Sequence, residues 1–165
     1  MGDAAKRITW RLMAQALIPE AWTEAAEPGS QRRTIYGVFL TLRAVVREAH
    51  FSNDTEQLTR AYAFAEWCAR HKSRDIWNAA SVAFYEHALD DGLSEKSVGP
   101  WLSPKVLEDT KQLIIARYGE AKASDLARHV RSGVDAPWRA AVRTFAYAEK
   151  HANARARASD TVDGQ

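Results

Sequence analysis

The stretch that decides the fold is Asp75–Asp90, DIWNAASVAFYEHALD. Wound as a helix at about 100° per residue, it carries Ile76, Ala79, Ala80, Ala83 and Phe84 on one side. Trp77, Val82, Tyr85 and Leu89 spread over most of the other. Little circumference is left polar, and a helix of that kind sits inside a bundle with neighbours on more than one side. Asn78, Ser81, Glu86 and His87 are the interruptions. Each needs a hydrogen-bond partner if buried, which makes them the polar residues to watch.

Upstream, SNDTEQLTR (52–60) is a clear helix start, with Asp54 or Thr55 as the cap and Glu56 and Gln57 suited to the positive end. Leu58, Ala61, Tyr62, Ala65 and Ala69 form one apolar stripe, while Phe64 and Trp67 lie well round from it. His71 and Lys72 close this helix, and KSRD (72–75) makes a tight connection in which Asp75 is the expected cap. Two helices joined by so short a turn pack antiparallel.

The outer elements obey the same period. Helices are expected over 4–17 (capped by Asp3 and ended by Pro19), 33–50, 104–118, about 123–130, and from Pro137 onward. A short turn at Ala21 and Trp22, a loop at EPGSQRR (27–33) and the connection LSEKSVGPWLSP (93–104) separate them. From Ala152 the apolar content is lost, so residues 152–165 are expected to fray or be disordered. The expectation is therefore an all-α, single-domain helical bundle over 1–151. It has six to seven helices around a central antiparallel helix hairpin, with no second copy at a fixed period to support a solenoid.

Composition sets the outer limits. At 165 residues, 46% of them hydrophobic and six of them Trp, the chain can bury one sizeable core without staples. The 23 Lys and Arg against 21 Asp and Glu give a formal charge of +2, too little to imply a polyanionic partner. The single cysteine, Cys68, excludes an intramolecular disulfide and a cysteine-built zinc site, and it fits a reducing compartment. No signal peptide is read at the N-terminus, and no apolar run approaches the roughly 18 residues that span a bilayer. A cytoplasmic protein without membrane contact is expected.

Motifs for common chemistries are missing: there is no Gly-rich phosphate loop, H-E-x-x-H, G-x-S-x-G or EF-hand pattern, and no cofactor is predicted. The nearest constellation is Glu66, Cys68 and His71 on one helix with Glu86 and His87 on the next. An antiparallel hairpin puts His71 near Trp77 and Asn78 and leaves Glu86 and His87 towards the other end. Cys68, between Trp67 and Ala69, reads as a small buried residue rather than an activated thiol. Glu86 lies among apolar neighbours, either in a structural network, for instance with an arginine of the last helix, or in a binding or acid/base role. Glu66, Asn78, Glu86 and His87 are thus the candidates for a polar network or ligand pocket. No metal site is read, since no two ligands stand at i, i+4 with a third donor.

Two surfaces complete the survey. Arg139, Arg143 and Lys150 lie roughly along one side of the last helix, either as a solvated face or as a phosphate contact diluted by Glu149. Arg32, Arg33, Arg155 and Arg157 add to the basic residues. Trp22, Trp77 and Trp101 stand beside predicted turns, where they either seal helix ends or anchor a protein partner.

Over AYAFAEWCARHKSRDIWNAASVAFYEHALDD (61–91) and VGPWLSPKVLEDTK (98–111), the chain resembles an uncharacterised family of small all-helical bacterial domains, a domain of unknown function. Phe64, Ala65 and Glu66, Asn78 and Ala79, Phe84 to His87, and Gly99 with Pro100 carry the likeness. The hairpin, with its short turn and alanine-rich second helix, is also similar to a HEAT-like helix pair. Small stand-alone helical proteins of this look include immunity proteins that neutralise a toxin, and the resemblance implies that role without assigning catalytic residues. The leading expectation is a non-enzymatic protein-binding domain, with neutralisation of a bacterial toxin as an immunity protein its narrower form. The alternatives are a small-ligand protein or enzyme built on Glu86 and His87, and nucleic-acid binding through the last helix.

Overall fold

Short polar side chains set the helix starts. Thr9, Thr34, Asp54, Ser94 and Ser103 each accept the backbone N–H three residues further on, satisfying a donor that the first helical turn leaves open. The computed structural model describes residues 8–26 and 33–162, and all regular structure among them is helical. The elements are α1 Trp10–Leu17, α2 Pro19–Glu24, α3 Ile35–Ser52, α4 Thr55–Ala69, α5 Arg74–Ala83, α6 Glu95–Val98, α7 Pro104–Tyr118, α8 Glu120–His129 and α9 Pro137–Val162. Single 3-10 turns at Tyr85–His87 and Gly99–Trp101 complete the set.

The all-helical bundle and its α4–α5 hairpin agree with the sequence reading, with finer divisions. Pro19 opens α2 instead of only closing α1, because its missing N–H is harmless in a first turn. The 93–104 connection holds α6, started by the Ser94 cap. α1 begins at Trp10 behind Thr9, and the expected Asp3 cap and most of the 27–33 loop fall outside the described residues. Asp75 sits in the first turn of α5, whose cap position is Ser73.

The larger difference concerns the opening stretch. α5 ends at Ala83; Phe84 leaves helical geometry, and a 3-10 turn carries Tyr85, Glu86 and His87. Asn78 and Trp77 face outward, so α5 is a wall of the bundle and α4 is its axis. Every residue from Ala61 to Cys68 is buried, and α1, α3, α5 and α9 all pack on α4. Phe39, Phe64, Tyr62, Phe84 and Trp101 form a connected aromatic centre, with Tyr62 and Trp101 stacked at 5.4 Å between ring centroids. α9 continues as helix to Val162, beyond the loss of apolar pattern at Ala152; the alanines and arginines there are strong helix formers.

The Gly99 and Pro100 segment has a packing reason. A Cβ on Gly99 would lie 2.5 Å from the Cβ of His129 and 2.9 Å from its carbonyl carbon, so only glycine lets this turn seat against the end of α8. Gly99→Ala is expected to cost about 1–3 kcal/mol in denaturant unfolding. Gly133→Ala, at a site where nothing lies within 4 Å, is the control and should change little. Equal effects at the two positions would contradict this packing.

Candidate functional site

Among the described residues, Glu66 is the only acidic one in the core, 2% exposed. Its position on the axial helix α4 forces it inward, and an ionised carboxylate there needs charged or strongly polar partners. Arg70, one turn on, supplies them: its Nε donates to Glu66 Oε1 at 2.8 Å and its Nη2 lies 2.7 Å from the same oxygen. Ser103 Oγ donates to that oxygen at 2.6 Å while accepting the Val106 N–H at 3.2 Å. One hydroxyl therefore caps α7 and ties its start to α4. The arginine, held from behind, faces outward.

In front of it lies a cleft of about 440 Å³ between the end of α4, α5 and the first half of α7. Arg70, His71 and Trp77 line one part, and Lys105, Asp109 and Thr110 the other, with Ser81 between. Lys105 Nζ donates to Asp109 Oδ2 at 2.7 Å. The hydroxyls of Ser81 and Thr110 donate to the carbonyls of Trp77 and Val106 on their own helices. His71 Nδ1 accepts the Ser73 N–H at 3.0 Å, and its ring packs on Trp67. Burial keeps this imidazole below its ordinary pKa, against the pull of the Glu149 carboxylate on α9.

A second polar cluster gathers on the far side of α5. Asp90 accepts from Arg117 Nε at 3.0 Å and Nη2 at 2.8 Å, from Tyr118 Oη at 2.6 Å and from Arg43 at 3.3 Å, and it pairs with His87 Nδ1 at 2.8 Å. Partial burial opposes its charge, and the Arg117, Tyr118 and His87 hydrogen bonds outweigh that, holding the carboxyl well below the usual range. With its oxygens so fully taken, Asp90 clamps α3, the 3-10 turn and α7 together.

The four polar candidates are not brought together. Glu66 lies behind Arg70, away from solvent; Asn78 is half-buried and donates to Tyr36 Oη at 3.2 Å; His87 serves the Asp90 clamp. Glu86 sits half-buried in the 3-10 turn, outside the cleft lining. Among the tryptophans, Trp101 is in the core at 7% exposure, and Trp22 packs edge-on against Trp10 with the Arg33 guanidinium over its ring. Trp77 alone of the three is open to solvent, at 39%, on the wall of the cleft. Arg139 stacks over Trp138 and donates to the Ser132 carbonyl, so the basic stripe on α9 is not a free row of cations. Cys68 is fully buried, and burial pushes its thiol far up, away from the reactive thiolate. Arg70, Lys105, Asp109 and Thr110 were not singled out by sequence. The i, i+4 pairs Glu66–Arg70 and Lys105–Asp109 were the available signal.

No group of three or more His, Cys, Asp and Glu among the described residues could hold a metal, and none of their helices is long and apolar enough to cross a membrane. The described residues thus form an all-α helical bundle with a polar cleft between α4, α5 and α7. Residues 12–119 match a family defined as a domain of unknown function (DUF7674), and the chain belongs to that family. Both stretches that carried the resemblance lie inside the match. No curated protein and no solved structure matches the chain.

The aromatic centre next to the Asp90 clamp generates a pH prediction. His50 Nε2 pairs with Tyr62 Oη at 3.0 Å, and burial pushes the imidazole down to about 4 from an ordinary 6.5. The unfolded chain then binds the extra proton first, so the contribution is complete above about pH 6.5 and is lost as pH falls towards 4. Asp90 has the same sign in a lower window, its stabilisation being lost only below about pH 4. Unfolding free energies at pH 7 and pH 4.5 should differ by roughly 2 kcal/mol through His50, allowing for the solvent that reaches this half-buried ring. His50→Gln should flatten that difference; an unchanged slope in the variant would refute the assignment.

Proposed function

We propose that this chain is a non-catalytic binding protein that engages another protein through the cleft between α4, α5 and α7. Trp77 carries the reading: a large aromatic left 39% exposed on the wall of a concave polar cleft has the geometry of an interface anchor. The chemistry of the cleft supports binding over catalysis. Arg70 and Lys105 are held in ion pairs, and the Ser81 and Thr110 hydroxyls bond helix carbonyls instead of a histidine base. Neutralising a toxin, as immunity proteins do, is the narrower form of this proposal, and the lone buried thiol is in keeping with a reducing cytoplasm.

The test is affinity capture of the tagged protein from its native host, wild type beside Trp77→Ala, with mass spectrometry and calorimetry on any hit. A single stoichiometric partner that Trp77→Ala binds at least about tenfold more weakly is expected, as for a hot-spot residue. A partner held equally by both forms, or turnover of a metabolite by the purified protein, would overturn the proposal.

A further inference from the structure

Arg70, His71 and Lys105 each keep an N–H donor on the cleft lining that no other described residue takes up, and we infer that the group it receives is the carboxylate of an acidic side chain on the protein partner. This inference rests on the cleft being the partner site, as proposed above. Arg70 turns Nε and Nη2 towards Glu66, so its outer Nη1 edge is not engaged among the described residues. Because His71 Nδ1 accepts the Ser73 N–H, its ring proton is on Nε2, which makes that nitrogen a donor. Lys105 gives one N–H to Asp109 and keeps two.

On the acceptor side, Glu66 is hidden behind Arg70 and the hydroxyl protons of Ser81 and Thr110 are spent on backbone, which leaves Asp109 Oδ1 and hydroxyl lone pairs. An incoming carboxylate meets a pre-oriented guanidinium edge, a neutral N–H and an ammonium, the donor set that planar oxyanions prefer. The Trp77 ring lies alongside for the methylene groups of a Glu or Asp side chain. A cationic side chain in the same place would face Arg70 and Lys105 directly.

The experiment uses isotope-labelled full-length protein and three probes: acetyl-Gly-Glu-Gly-amide, its Gln counterpart and inorganic phosphate. The Glu peptide should give saturable shifts at the His71 amide, the Trp77 indole and the Lys105–Asp109 amides, and the Gln peptide should bind about tenfold more weakly. Lys105→Gln and Arg70→Lys, the second keeping a cation beside Glu66 while removing the planar fork, should each weaken the Glu peptide by about tenfold. Thermal unfolding of both variants is the check that the fold is intact. Equal shifts from both peptides, or none from either, would overturn the inference, and phosphate binding in place of the Glu peptide would reassign the cleft to a phosphoryl group. In the capture experiment, loss of the partner in Trp77→Ala with full retention in Lys105→Gln sinks the carboxylate but leaves the interface standing. Retention in both sinks the two together.

Discussion

The structure turns on the charge buried at Glu66. α4 is packed on by four other helices and is buried on every side from Ala61 to Cys68, yet a carboxylate sits in its last turn at 2% exposure. Such a group is tolerable only with close, well-aligned partners. Ser103 provides one from the N-cap of α7 and Arg70 the other from the end of α4, so one buried charge ties the start of α7 to α4 and holds the Arg70 guanidinium. The cleft takes in both ends of that tie, since Ala69 and Arg70 from the end of α4 and Lys105, Val106, Asp109 and Thr110 from α7 line it, with Arg70 held from behind.

The rest of the bundle secures this junction from two sides. The Asp90 clamp joins α3 and α7 through a carboxylate shared by two arginines, a tyrosine and a histidine. α9 packs more extensively on α4 than any other helix does, although it lies outside the residues matched by the family. The family match therefore ends at a point where the core is still open, and residues beyond it complete the burial of Glu66's helix in this chain.

Much of the fold was legible because helical periodicity is local. Asp54 as a cap, the stripe from Leu58 to Ala69, the short 70–73 connection and Pro104 in a first turn could all be read over a few residues. Which helix forms the axis could not. Phe64 and Trp67 lying off the main stripe of α4 hinted at all-round burial, but the contact with α9 joins residues far apart in the chain. The end of α5 at Ala83 was hidden for the same reason: the apolar pattern runs on through Leu89, while the segment after Ala83 is held by Arg43, Arg117 and Tyr118, distant in the chain. For the site, Glu66 and Trp77 stood out as a charge in an apolar run and a large aromatic beside a turn. Lys105 and Asp109 looked like any exposed i, i+4 pair, and only the tertiary fold puts them opposite Arg70.

The most direct measurement compares Arg70→Ala with Glu66→Gln by urea unfolding at pH 7. If Glu66 is the buried charge on which the junction depends, removing its cation strands it and costs about 3–5 kcal/mol. Neutralising it to a glutamine that can still accept from Ser103 and Arg70 costs about 1 kcal/mol. Equal losses in the two variants, or a loss below about 1 kcal/mol in Arg70→Ala, would show that the α4–α7 junction does not depend on this pair.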